Sequence, residues 1–394
     1  MRAYVAAAGF ARIADEMVGI GVVLLTLDRT GSAAWAGATV MAYTLPSIVS
    51  GPVVGAWLDR VAYRRAVLAG GGVLLAAVCL GLTATVGRAP AVVPLLLAGV
   101  AGLAVPLTTG GYSSLIPRLA PERLGTANSL DAATFSIGTI TGPALAGTVA
   151  AAVSPAAAVS LIAVLALAGS ISTAFLPRIG TVTGDHAPLL RTVRAGLSHL
   201  FRTAPLRGAT LTTVLGYGSV GILATALPLR AEELGQERAT AGYLWTALEV
   251  GSLITVAVLG KLAAGARPER VVFVSTAVFG LVMLTWPLAG SFPWTMVLVA
   301  VAGLAEGLAL PAIMATRQRY TPQELLAQVS TTGASLKVAG YSLGALAGGW
   351  LVPAGGPTAA ILTTAAVQLV GAGLSAWTSA KSSAPTRPSQ TPTG

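Results

Sequence analysis

Apolar residues in this chain come in long runs, not in the alternation of a strand or the stripe of a soluble helix. Runs of about 20 residues, the length a helix needs to cross hydrocarbon, lie near 4–27, 33–56, 66–87, 91–115, 127–150 and 155–176. Six more lie near 206–229, 240–262, 269–289, 293–316, 327–351 and 356–379. They are roughly twice as long as a barrel strand and lack its alternation. The first is too long, and too polar in its middle, for a cleaved signal peptide. The pattern predicts an all-α integral membrane protein with 12 transmembrane helices. Its parts are an N-terminal six-helix bundle over 1–176, a linker over 177–205, a second six-helix bundle over 206–379 and a disordered tail over 380–394.

Composition narrows the function classes. Only 10% of the 394 residues are charged and 54% are hydrophobic, whereas a soluble domain carries about a quarter charged. The single cysteine, Cys79, excludes a disulfide scaffold, and with two linker histidines, His186 and His199, it cannot build a soft-ligand metal site. No phosphate-binding loop is present, so the chain has no ATPase of its own. The expectation is a protein that is not an enzyme and carries no cofactor or metal. A net charge of +10 does not signal nucleic acid, because no basic patch is interleaved with aromatics.

The basic residues lie between the apolar runs. With a cytoplasmic N-terminus, the cytoplasmic segments hold 18 of them and the opposite side only four, Arg29, Arg88, Arg230 and Arg238. That bias places both termini and the linker in the cytoplasm of a multi-pass cell-membrane protein. Within the linker, Leu190, Val193, Leu197 and Leu200 share a helical face while Arg191, Arg194 and Arg202 lie elsewhere on the surface. This reads as an amphipathic helix at the membrane interface or as an ordinary helical linker with a solvated basic face.

The two halves repeat. AGVAGLAVP at 98–106 parallels AGLAEGLALP at 302–311, PERLGTANS at 121–129 parallels PQELLAQVS at 322–330, and GTITGPALAG at 138–147 parallels GYSLGALAGG at 340–349. Three matches in one order, at offsets between 201 and 205, indicate duplication. Parallel repeats related by an axis along the membrane normal are the plan of a transporter that rocks one half against the other.

Two motifs carry a family resemblance. GAWLDRVAYRR, between the second and third runs, holds Gly55, Asp59, Arg60, Arg64 and Arg65. The fifth run reads Gly138-Thr-Ile-Thr-Gly142-Pro143-Ala-Leu-Ala146-Gly147. With the opening Arg12 and Asp15, they resemble the major facilitator superfamily, and within it the 12-span drug-efflux branch of macrolide and siderophore exporters. The resemblance implies two pseudo-symmetric bundles, a gating role for the first motif and an antiport-type helix for the second. The chain departs from the pattern at Ala264 in the counterpart loop GKLAAGARPER, at Ala146 and Ser129 in the fifth run, and in having no arginine in the fourth.

Charges inside the runs are the candidate chemistry. They are Arg12, Asp15, Glu16, Asp131, Glu249, Glu306 and Lys337. Such residues are costly in hydrocarbon and face a cavity or pair together. Arg12 can reach Asp15 or Glu16 along its own helix, Lys337 can pair with Glu249 or Glu306, and Asp131 suits a helix N-terminus. Five acids against two bases leave acids over, and a low dielectric favours their neutral form, so Asp15, Glu16, Glu249 and Glu306 are candidate proton carriers or counter-charges for a cation. Gly138, Gly142, Pro143 and Gly147 form a small-residue stripe that suits an interface between the halves. Tyr43, Tyr217, Tyr243, Trp245, Phe135 and Tyr341 can line a cavity, and Trp35, Trp286, Trp294 and Trp350 suit the interfacial belt.

The reading is a secondary active transporter, working as a monomer in a lipid bilayer, that exports a small amphipathic or cationic compound by alternating access in exchange for protons. The alternatives are a proton symporter or facilitator importing a small nutrient, and a non-transporting membrane sensor or assembly protein. The topology has a direct check. In a Cys79→Ser background, cysteines replacing Ser198 and Ser291 should label from opposite sides of the membrane, and labelling of both from outside intact cells contradicts it.

Overall fold

Hydrocarbon offers no water to a free backbone amide, so a spanning segment bonds its backbone within itself. Among the described residues, the spanning segments are all helical, as this requires. The computed structural model describes residues 1–61, 63–177, 189–263 and 266–382. Its helices are α1 (Arg2–Thr30), α2 (Ala33–Thr44), α3 (Ser47–Arg60), α4 (Arg64–Thr85), α5 (Val92–Gly102), α6 (Ile116–Leu119), α7 (Leu124–Ala152) and α8 (Pro155–Ala174). They continue as α9 (Leu189–Arg202), α10 (Ala204–Glu233), α11 (Ala241–Ala263), α12 (Pro268–Met283), α13 (Phe292–Glu306), α14 (Ala309–Tyr320) and α15 (Gln323–Ser382). Among the described residues, nine helical stretches are long and apolar enough to cross a membrane. Their outward surface is apolar, with Leu80, Leu96, Val164, Ile171, Val258 and Leu281 exposed. The chain is thus an all-α, multi-pass membrane protein.

Local sequence sets the turns. Gly31 closes α1 in the left-handed region (φ 65), and Ser32 then caps α2 by accepting from the Trp35 amide at 3.3 Å. Ser154 caps α8 ahead of Pro155. Within α15, Gly356 at φ 77 breaks the helix between Pro353 and Pro357.

Three runs expected to be continuous are interrupted. The 33–56 run breaks between α2 and α3 at Leu45 and Pro46, where proline removes a backbone donor. The 91–115 run breaks after Gly102, and the chain resumes through Pro106 into a five-residue π segment, Leu107–Gly111. The 293–316 run breaks at Gly307, ahead of Pro311. The breaks in the fourth and tenth runs occupy the matched segments of the repeat.

Backbone packing repeats as well. A Cβ at Gly138 or Gly142 of α7 would meet Arg12 or Glu16 of α1. One at Gly340 or Gly344 of α15 would meet Val214 or Gly218 of α10. All four positions in each set are related by the same offset of 202 residues.

The stripe in α7 was expected to face the other half. Instead Gly138 and Gly142 pack within their own half, on α1, because α1 is the neighbour along most of α7. Gly147 does cross over, facing Ala239 and Gly242, and Gly242 also meets the Pro143 carbonyl. α9 packs on α15, with Gly196 against Gln328, and His199 Nε2 lies 3.0 Å from the Tyr320 carbonyl oxygen. The expected tail lies outside the described residues from 383 onward, and 380–382 continue α15.

Because a Cβ at Gly344 runs into the Gly218 backbone, Gly344→Ala should cost about 1–3 kcal/mol of stability and lower the unfolding midpoint in detergent. Gly9→Ala, at an open position, should leave that midpoint unchanged.

Candidate functional site

The intramembrane charges separate into two groups. The first is closed. Arg12 is 1% exposed and does not pair with Asp15 or Glu16 as expected from helical spacing. It crosses to α7 and makes an ion pair with Asp131 Oδ1 at 2.7 Å. Its guanidinium also donates to the Asp131 carbonyl at 2.9 Å, to Ser113 Oγ at 3.0 Å and to the Thr134 hydroxyl. It lies 3.4 Å from the Phe135 ring centroid. Asp131 in turn accepts from Tyr4 Oη at 2.6 Å and from Ser113 Oγ at 2.8 Å.

Asp131 therefore serves no helix N-terminus, since α7 begins two turns earlier at Leu124. A carboxylate on a neighbouring helix satisfies a planar guanidinium better than one on its own turn, because several donors can be used at once. Sequence reading missed Tyr4 and Ser113. The one signal was that Tyr4 and Arg12, eight residues apart, share a face of α1.

The second group is open. Asp15 accepts a hydrogen bond from the Tyr43 hydroxyl of α2. Glu16, one residue along α1, is in electrostatic contact with Asp15, with Glu249 of α11 and with Lys337 of α15. Glu306, at the end of α13, lies within the electrostatic field of Glu249 and Lys337. The Lys337 ammonium sits 4.3 Å from the Tyr217 ring centroid. Among the described residues, no carboxylate oxygen comes within 4.0 Å of it. The expected Lys337 ion pair with Glu249 or Glu306 is thus replaced by a looser arrangement, in which one cation over an aromatic ring faces three carboxylates. Glu16, Tyr217, Glu249, Glu306, Lys337 and Tyr341 are all only partly buried. They come from both halves of the chain.

Outside this cluster, too, the halves meet closely. Thr44 of α2 and Ser342 of α15 share a hydrogen bond of 2.6 Å between hydroxyls. A Cβ at Gly37 would meet Ala345, and one at Gly349 would meet Ala33 and Ala34. Thr246 of α11 donates to the Ile140 carbonyl of α7 at 3.0 Å, and Thr148 and Tyr243 share a bond of the same length.

Gly55, Asp59 and Arg60 lie on α3, but their side chains are outside the described ones. Arg64 is buried. Arg65 donates to the Ala174 carbonyl at 3.2 Å and to that of Leu176, tying α4 to the end of α8 within one half. Ala264 is outside the described residues. Trp286 was expected in the interfacial belt but is 1% exposed, because it turns into the core from the short helix that follows α12; Trp35, Trp294 and Trp350 are exposed. Arg317, counted from sequence with the loops, is buried and donates to the Ser330 carbonyl at 3.2 Å.

A family model described as the Major Facilitator Superfamily matches residues 5–218 and 209–393. The chain belongs to the Major Facilitator Superfamily. It is 28% identical over 356 residues to the uncharacterised MFS-type transporter y4rN of Sinorhizobium fredii (strain NBRC 101917 / NGR234), covering 88% of this chain and 87% of that protein. It is 26% identical over 351 residues to the multidrug efflux pump Tap of Mycolicibacterium fortuitum, covering 86% and 85%. Solved structures with the same fold include a POT family transporter in complex with 5-aminolevulinic acid (TM-score 0.77, 13% identity, 97% of this chain and 96% of that one). The nucleoside transporter NupG is another (TM-score 0.75, 13% identity, 98% and 100%). Membership makes the chain a secondary active transporter of small molecules and not an enzyme.

Removing one partner from a buried ion pair leaves an uncompensated charge and costs about 3–5 kcal/mol. Arg12→Gln and Asp131→Asn should each destabilise this superfamily member by that order. The double variant should cost less than the sum, as read from thermal unfolding of the four proteins of the cycle.

Proposed function

We propose that the chain is a proton-coupled transporter whose central site lies among Glu16, Glu249, Glu306 and Lys337, between two six-helix bundles at 1–176 and 206–379. Counting α1, the broken α2–α3 pair and the two parts of α15 on either side of Gly356 supports twelve spans, with 177–205 as the linker. The observation that carries the reading is the open charge cluster. Carboxylates from α1, α11 and α13 converge on one lysine of α15, and none of them is locked as Arg12 and Asp131 are. A carboxylate without a fixed partner can take up a proton and release it, and a change in its charge biases one state of a two-state transporter over the other. The contacts of α2 with α15 and of α7 with α11, on the side away from the arginines, support a state closed there and facing the cytoplasm.

For direction, uptake of a small polar solute by symport or facilitation is supported better than the export expected from sequence. Solved proteins of this fold include a POT family transporter in complex with a thioalcohol-conjugated peptide or with 5-aminolevulinic acid, and a nucleoside transporter. A site with both carboxylates and an ammonium suits a solute bearing both charges. Export in the manner of the drug-efflux branch is the second reading, and the relative named as a multidrug efflux pump favours it. On either reading the cell membrane is the location and the bilayer the medium, and for symport or export the proton is the coupling ion.

Protein reconstituted with a defined pH gradient, and offered a panel of short peptides, nucleosides and lipophilic cations, tests the proposal. Wild type should accumulate at least one class uphill, in the direction set by the gradient. Glu249→Gln or Glu306→Gln should abolish uphill movement while downhill exchange continues. Full accumulation by both variants overturns coupling through this cluster.

A further inference from the structure

Asp15 is not part of the cluster around Lys337. Its carboxylate accepts from Tyr43, which is buried on α2. Tyr43 sits at a junction. Its carbonyl is the group that a Cβ on Gly102 of α5 would strike. Its neighbour Thr44 holds the hydroxyl bond to Ser342 of α15. Helix α2 ends there, and Pro46 separates it from α3. The 12 residues of α2 therefore form a short rod. One end is held through Tyr43 to an ionisable group of α1. The other, through Gly37, Ala33 and Ala34, packs on Ala345 and Gly349 of α15 and closes the far side.

We infer that Tyr43 is a positioning residue that transmits the charge of Asp15 to the contact between α2 and α15, so that protonation of Asp15 loosens the closed side. The inference rests on the proposed proton coupling and adds a second, separate proton-sensitive group to it. A phenol donates more strongly to a carboxylate than to a neutral carboxyl group. Loss of the charge weakens the bond that holds α2 on α1, and the proline break lets α2 shift without carrying α3.

The groups facing Asp15 are Glu16 on its own helix, Tyr43 on α2 and Cys79 on α4. The other charges near α1 are directed elsewhere. Asp131 of α7 holds Arg12, while Glu249 of α11 and Lys337 of α15 face Glu16, as does Tyr217 of α10.

Spin labels at Trp35→Cys and Trp350→Cys, both exposed, in a Cys79→Ser background report the separation of α2 and α15 without any substrate. In the otherwise unchanged protein, the separated fraction should rise about fivefold as pH falls, the ratio expected when a charged hydrogen bond becomes a neutral one. Tyr43→Phe should give a raised fraction whose pH dependence is reduced to what the acids around Lys337 contribute, and Asp15→Asn should do the same by a different change. Thr44→Val should raise the fraction at every pH and keep the pH response. A normal pH response in Tyr43→Phe or in Asp15→Asn overturns the inference. The two readings fail separately. If no solute is driven by a pH gradient yet the distances titrate as described, the coupling reading is wrong and the relay stands. If gradient-driven transport is present and Tyr43→Phe titrates normally, the relay is wrong and the coupling reading stands.

Discussion

A charge carried into hydrocarbon must be neutralised by a partner or placed where water reaches it, and the way each charge meets that demand organises this molecule. Arg12 and Asp131 meet it completely. Their ion pair is surrounded by Tyr4, Ser113, Thr134 and the Phe135 ring, which use nearly every donor and acceptor. The group fastens α1, α7 and the segment after the π turn into one unit. Glu16, Glu249, Glu306 and Lys337 meet the demand only in part. They share one another's field without closing a pair, and they remain partly accessible. The first group holds helices together and the second is where the transport chemistry is proposed to lie, and both arrangements follow from the same electrostatic cost.

Rigid units can move against each other only if their contacts are simple. In this chain the closest ones are made by backbone. Gly138 and Gly142 bring α7 onto α1, and Gly340 and Gly344 bring α15 onto α10 in the same register. Between the halves, Gly37, Gly147, Gly242 and Gly349 do the same on the far side, assisted by a few hydroxyl bonds. Membrane helices gain little from the hydrophobic effect against lipid, so close van der Waals approach and small polar bonds carry the association. Contacts of this kind can separate without leaving an unpaired charge behind, which suits a surface that opens and closes.

Much of the fold was legible because hydrocarbon forces long apolar runs, and the Gly-Pro segments marked the duplication before any coordinates. The breaks were harder to see. Pro46, Pro106 and Pro311 stand in the sequence, but a proline kinks one membrane helix and interrupts another according to its neighbours. At the site, the residue types were visible and their partners were not. Helical spacing offered Arg12 the acids of its own helix, whereas packing delivered Asp131 from 119 residues away. Lys337 was assigned an acid and instead lies over Tyr217. Tyr43 was one aromatic among several, and nothing in the sequence tied its hydroxyl to Asp15. These pairings depend on helix rotation, which an apolar sequence leaves free until the helices pack.

The central proposal is that the acids near Lys337 exchange protons during the transport cycle. A hydrophobic carbodiimide forms adducts with protonated carboxyl groups in apolar surroundings, so its reaction with the protein in native membranes, mapped by peptide mass spectrometry across a range of pH, reads this without a known substrate. The account predicts adducts on at least one of Glu16, Glu249 and Glu306, falling as pH rises. Adducts absent from all three at every pH would contradict it.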